Sequence, residues 1–425
     1  MPQEMTSGER VRIALDHRPP GRVPVDFGGT FVTGIHVSCV AGLRRYYGLD
    51  QIPVKVVDPG QMLGEIDEDL KFALGIDTEG IRGRMTRFGF PAESWKAWRM
   101  YDGLEVLVPG DFNVTVDANG DTLLYPQGDL CAPASARMPK DGYFFDSITR
   151  QGPIHEDALR PEDNLEEYEP VSEQDLAHLE CVARSAAATG RAVVASFGGT
   201  ALGDVGTVPG VSLKHPKGIR EITEWYVSTR LRRDFVHKVF AGQCDIALAN
   251  LERIARRVGE LVDVVYICGT DFGAQTSAFC SVATFRELWM PYYQRVNGWI
   301  HRNTPWKTFK HSCGAVSKFL PSFIESGFDV LNPVQCSAAG MDPEQLKSIH
   351  GDKLVFWGGG VDTQHVLPFG TPDEVRQQVL RRCEIFAKGG GFVFNTTHNI
   401  QAGTPLENIV VMIDAVREFS GRQPA

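Results

Sequence analysis

Two side chains with soft donor atoms stand two apart in His311-Ser312-Cys313-Gly314. Where an extended run ends, residues i and i+2 project to the same face, so the imidazole and the thiol point one way and Ser312 the other. Imidazole nitrogen and thiolate sulfur make half of a site for a borderline-soft cation such as Zn2+, whose charge deprotonates the thiol. Two donors cannot hold a catalytic zinc, and Asn395-Thr396-Thr397-His398-Asn399 offers His398 as the third. Three protein ligands would leave one coordination position open for substrate. His-x-Cys is also short enough to arise by chance, and an ordinary structural role for each residue stays open.

Polar groups near other apolar runs could share that site. Asp271, in Thr270-Asp271-Phe272-Gly273, is a candidate catalytic residue: a general acid, a substrate anchor or a fourth ligand, against the alternative of capping the next loop or helix. Asp26 precedes Gly28-Gly29, where a backbone without side chains lets a ligand approach. With Asn332, Gln335 and Asp362 it forms the candidate substrate-binding set, hydrogen-bonded rim residues being the alternative. Rival chemistries are missing: there is no phosphate loop, Gly-x-Ser-x-Gly elbow, His-Glu-x-x-His helix or EF-hand loop.

To bring residues 26, 271, 311 and 398 together, the chain needs a fold that delivers many strand ends to one place. Eight apolar, β-branched runs qualify: 22–29, then 54–57 or the stretch around Ile81, then 192–197, 262–268, 306–310, 330–334, 354–357 and 392–395. Helical periodicity fills 284–301, 316–325, 343–350, 372–388 and 405–419 between or after the later ones, with Pro291 predicting a break inside the first. Thr6-Ser7-Gly8-Glu9 predicts a capped helix to about Asp16, and Thr404-Pro405 a cap followed by proline at the first helical position. Strands separated by helices imply a parallel sheet covered on both faces. Eight of them fit a closed (β/α)8 TIM barrel, with a doubly wound sheet as the alternative.

The pattern changes over about 104–162. There 112–116, Asp117-Ala118-Asn119-Gly120-Asp121 and 122–125 predict a β-hairpin with an Asn-Gly turn. The expectation is one domain, 1–425, with this region inserted as a lid, a homodimer surface or simple decoration. Lys+Arg 43 against Asp+Glu 53 gives a net charge of −10, which disfavours a nucleic-acid partner. A polar stretch from Met1 to Arg12, no long apolar run and nine cysteines without a Cys-x-x-Cys pair predict a cytoplasmic protein with reduced thiols and no membrane span.

Taken together, the chain resembles the uroporphyrinogen decarboxylase superfamily, and within it the methyltransferases that work with corrinoid proteins. The resemblance rests on Glu9-Arg10-Val11-Arg12 with Arg22-Val23-Pro24-Val25-Asp26, on His311-Ser312-Cys313-Gly314, on Leu331-Asn332-Pro333-Val334-Gln335, on Trp357-Gly358-Gly359 with Asp362-Thr363-Gln364, and on His398-Asn399-Ile400-Gln401. It implies a (β/α)8 barrel and, in the methyltransferase branch, zinc on a His-x-Cys pair plus a later residue; His311 and Cys313 match the pair. Relatives that methylate thiols carry a cysteine where this chain has His398, so its donor set would be N,N,S. Decarboxylases of the family hold their substrate's carboxylates with arginines of an early loop. Here that loop reads Asp26-Phe27-Gly28-Gly29-Thr30, which has no guanidinium fork.

The expected function is therefore zinc-dependent transfer of a methyl group between a small methylated donor and a corrinoid (cobalamin) carried on a separate protein. Decarboxylation of uroporphyrinogen or a related carboxylated substrate is the first alternative. A non-catalytic ligand-binding barrel is the second.

Overall fold

A computed structural model describes residues 5–197 and 202–421, so the first four residues of the polar amino-terminal stretch lie outside the described residues. Seven parallel strands follow one another around a curled sheet in chain order: β1 (Thr78–Arg82), β2 (Ala192–Ser196), β3 (Val264–Cys268), β4 (Lys307–His311), β5 (Val330–Asn332), β6 (Val355–Trp357) and β7 (Phe392–Val393). Their β-branched and aromatic residues are buried on both faces, as a parallel sheet demands. Ala192, Val194, Val264, Tyr266, Phe309, Val330, Val355, Trp357 and Val393 pack together inside the curl. The alternate residues, among them Val193, Val265, Ile267, Leu331, Phe356 and Phe392, pack outward in the larger core.

Between the two ends of this sheet lies the segment 24–26. The Asp26 N–H donates to Phe394 O at 2.9 Å, the Phe394 N–H to Pro24 O at 2.8 Å, and the Asp77 N–H to Val25 O at 2.8 Å. The run predicted as a strand over 22–29 thus shrinks to one bridged residue, Val25. Pro24 has no N–H to give, and the Val25 N–H goes to the Asp77 carboxylate at 3.0 Å instead of a strand carbonyl. Of the two options for the next strand, Ile81 lies in β1, whereas Val56–Asp58 pairs antiparallel with Leu63–Gly64.

Helix boundaries follow local chemistry. Thr6 and Glu9 form a reciprocal capping box on the helix Ser7–Leu15. The periodic stretch 284–301 divides at Trp289 into Val282–Leu288 and Met290–Asn303, with Pro291 in the first turn of the second helix, where its missing N–H costs nothing. At the last helix, Leu406–Phe419, Pro405 stands just outside the helix and Thr404 turns its hydroxyl back to Gln401 O at 2.8 Å, so neither takes the position its sequence suggested.

In the middle of the chain Val114–Val116 pairs antiparallel with Thr122–Leu124, which continues to Ala136–Met138 and Asp146–Ser147. The turn is wider than a two-residue Asn-Gly link. The Asp117 N–H donates to Asp121 O at 2.9 Å, and only Gly120 in this turn takes a left-handed φ, +87°. All nine cysteines are free thiols. Among the described residues no helix is long and apolar enough to cross a membrane.

Candidate metal centre

At the carboxyl edge of the sheet the ligand atoms of His311, Cys313 and His398 lie within 4.8 Å of one another. His311 ends β4 and is buried, and its Nδ1 lies 2.6 Å from Asn332 Oδ1. The orientation of that amide follows from its other end, where Nδ2 donates to Trp357 O at 2.8 Å. His311 therefore carries its proton on Nδ1 and directs the Nε2 lone pair toward Cys313 Sγ, 3.4 Å away. The His311 and His398 rings meet edge to face with centroids 5.2 Å apart. Burial lowers the pKa of His311 to about 4 and that of His398 to about 3, so both imidazoles are neutral at physiological pH. Neutral imidazole is the ligating form.

His398 differs from His311 in one respect. Its Nδ1 accepts the Asn399 N–H at 2.8 Å, and a neutral imidazole has only one lone-pair nitrogen. Ligation by this ring must exchange that hydrogen bond for a cation.

The Cys313 N–H donates to Asp271 Oδ1 at 2.7 Å. Burial, with the Asp271 carboxylate beside it, pushes the Cys313 thiol well above the usual range; a divalent cation is the kind of charge that would reverse this. Gly314 follows at φ +85°, and a Cβ there would stand 2.3 Å from Gly273 O. Only glycine lets the loops after β3 and β4 pack so closely.

The remaining predicted residues surround these three without joining them. Asp271 spends one oxygen on Cys313 and stands outside the cluster of mutually close donors, and burial raises its pKa. Asn332 orients His311. Gln335 accepts the Gly314 N–H at 2.8 Å and donates to Gln275 Oε1 at 2.9 Å, bracing the same loop. Asp26 is fully buried and both its oxygens are engaged: Oδ1 accepts the Gly29 N–H at 2.9 Å and the Thr78 hydroxyl at 2.6 Å, and Oδ2 accepts Trp357 Nε1 at 2.8 Å. Asp362 accepts the N–H groups of Gln364 and His365 at 2.7 and 2.8 Å, capping its own turn.

Lys310 escaped the sequence reading. It is fully buried between Phe309 and His311, facing outward from the curl, and its Nζ donates to Thr270 O at 2.8 Å and His311 O at 2.5 Å while lying 5.1 Å from the Phe272 ring centroid. It ties together the two strand ends that carry Asp271 and His311. The available signal was its place next to His311 in a strand of a sheet covered on both faces, where the side chain opposite Phe309 and His311 must also be buried.

Comparison with known proteins adds three findings. A family model described as uroporphyrinogen decarboxylase (URO-D) matches residues 145–419, more than half of the chain. A uroporphyrinogen decarboxylase from Psychromonas ingrahamii is 36% identical over 89 residues, covering 20% of this chain and 24% of the relative. A methylated-thiol–coenzyme M methyltransferase from Methanosarcina mazei is 27% identical over 144 residues, 34% of this chain and 35% of the relative. Across the first curated relatives the matched stretch spans roughly a quarter to a half of their length. The solved structure of a methyltransferase from Methanosarcina mazei shares the fold, with a TM-score of 0.54 at 14% identity over 98% of this chain and 99% of that one.

Proposed function

Since the chain belongs to the uroporphyrinogen decarboxylase family, we propose that it is a zinc-dependent methyltransferase working between a small methylated donor and a corrinoid carried on a separate protein. One observation carries this reading: the His311–Cys313 pair and the distant His398 bring three soft or borderline donors within 4.8 Å of one another, one of them with its lone pair set by a buried amide. The methyl chemistry of the Methanosarcina relative supports it. His311, Cys313 and His398 would hold the zinc, and their N,N,S set, with one thiolate, carries less negative charge than a set with two. When bound, zinc supplies Lewis acidity to the heteroatom that gives or receives the methyl group, more in keeping with activating a leaving oxygen or nitrogen than with generating a bound thiolate.

The other residues act by position. Asn332 fixes the His311 tautomer, Gln335 and Lys310 hold the loop and strand ends, and Asp26 anchors the wall opposite. Asp271, with its raised pKa, is the group placed to hold or move a proton at the donor heteroatom. Asp362 would line the rim. The same reading takes the chain as one (β/α)8 barrel in the cytoplasm, with 24–26 as its eighth stave and 104–162 as an insert that covers the mouth or pairs with a second copy.

Metal analysis of freshly purified protein tests the ligand set. Stoichiometric zinc in the wild type, lost in Cys313→Ala and His398→Ala, is the expected result, and its retention in both variants removes the assignment. Methylation of a reconstituted corrinoid protein, followed by its visible spectrum, tests the activity. The relatives named uroporphyrinogen decarboxylase favour a second reading, carboxy-lyase chemistry. Carbon dioxide release from uroporphyrinogen by metal-free protein would put that reading first.

A further inference from the structure

The register of β1 on β2 pairs Thr78 with Ala192, Gly80 with Val194 and Arg82 with Ser196. Residues paired across parallel strands share a face, and Ala192 and Val194 belong to the layer inside the curl. Arg82 and Ser196 therefore both face inward at the carboxyl edge. Thr78, on the same face of β1, reaches the buried Asp26 carboxylate at 2.6 Å, which agrees.

Neither inward group is satisfied. Among the described residues, Arg82 Nη2 makes one long bond to Gly28 O at 3.3 Å, and Nε, shut off from solvent, has no partner. Ser196 Oγ is likewise buried without a partner among the described residues. Among the described residues no carboxylate lies within ion-pair distance of Arg82; those of Asp58, Asp26 and Glu65 act on it only from further away. Two of the most deeply buried guanidinium groups of this molecule are tied to acids, Arg44 to Asp69 and Arg220 to Glu167, whereas Arg150, half-buried like Arg82, bonds backbone carbonyls instead. Leaving a donor of a charged group buried and unpaired is costly, unless a guest completes it. β1 and β4 are three strands apart around the curl, so Arg82 faces His311 across the mouth.

From this geometry we infer that Arg82, helped by Ser196, receives the carboxylate of a small substrate whose methylated heteroatom lies toward His311, Cys313 and His398. The inference rests on the proposed reading of the mouth as the active site, and it names the substrate class: methylated monocarboxylates. A lone guanidinium matches one carboxylate, not the several that the decarboxylases of the family must hold. The fork that the early loop lacks is supplied from the adjacent strand.

The test uses methoxyacetate, 3-methoxypropanoate and 4-methoxybutanoate, each against the alcohol of the same length, titrated calorimetrically into zinc-loaded protein. At least one acid is expected to bind wild type about tenfold or more tightly than its alcohol, the range of a charge-assisted hydrogen bond. Arg82→Met should erase that preference with zinc content unchanged, Arg82→Lys should restore part of it, and Ser196→Ala should weaken the acid only. Equal or weaker binding of all three acids in the wild type overturns the inference, as does a preference that survives Arg82→Met. The wild-type comparison stands even where a variant fails to fold. Wild type that takes up no zinc yet prefers an acid sinks the metal reading and leaves the carboxylate site standing.

Discussion

The two walls of the mouth spend their polar groups differently. On the wall made by β4, β5 and the loop after β7, nearly every polar atom around the three donors is paired: Asn332 bonds both His311 and Trp357 O, Gln335 bonds Gly314, and Asp271 bonds Cys313. On the wall made by β1 and β2, Arg82 Nε and Ser196 Oγ have no partner among the described residues, although Asp26 beside them is saturated. Saturation holds a side chain in one pose and suits a group that must position something else. An unfilled donor is a standing cost that a ligand can remove. The contrast separates a wall that is preorganised from one that is completed on binding.

The comparison breaks most severely at Cys313. Cys313→Ala should reduce zinc from about one equivalent to a small fraction of that, because two imidazoles alone bind weakly; plasma emission analysis of dialysed protein reads this. Asp26→Ala comes next. It leaves the Thr78 hydroxyl, Trp357 Nε1 and the Gly29 N–H buried without acceptors, and should cost about 3 kcal/mol or more in urea unfolding. A loss under about 1 kcal/mol would mean that water enters this wall freely.

Asn332→Leu sharpens the first wall. It should weaken zinc binding about 10- to 100-fold in competition with a chelator, with the fold intact by circular dichroism. Unchanged affinity would mean that the His311 tautomer is set by something other than the amide.

The smallest effect is in pH. Both imidazoles have folded-state pKa values below the ordinary 6.5, so on acidification the unfolded chain binds protons first. Metal-stripped protein should therefore lose stability as the pH falls from 6.5 toward about 4, with the His398 share continuing to about 3. Buried Asp26 and Asp271, whose pKa values are raised, contribute with the opposite sign, so the difference between proteins is the readout. His398→Gln should flatten the fall in melting temperature over that window. Parallel curves would place His398 in water.

The strands were legible because their residues are apolar on both faces, and the convergence of His311, Cys313 and His398 follows from strand ends sharing one edge. The first stave was over-read, since no pattern announces that Asp77 will answer the Val25 N–H with a side chain. Asp26 drew attention for the right location, but its burial depends on partners fifty or more positions away, Thr78 and Trp357, which spacing does not reveal. Arg82 was invisible for a different reason: Thr-Glu-Gly-Ile-Arg reads as a strand ending in a solvated charge, and only the pairing of Arg82 with Ser196 turns it inward.

One feature of the sheet bears on how the molecule comes into being. The seam that joins Val25 to Phe394, fastened by the Asn395 amide on Asp26 O, unites residues 369 positions apart. A ribosome releases the first of these long before the second, and until then the incomplete sheet has an exposed edge for chaperones or neighbouring chains to meet. His398 emerges just after that seam is made. Capture of a cation by all three donors would thus have to wait for that seam, and a bound ion would report that the sheet has closed.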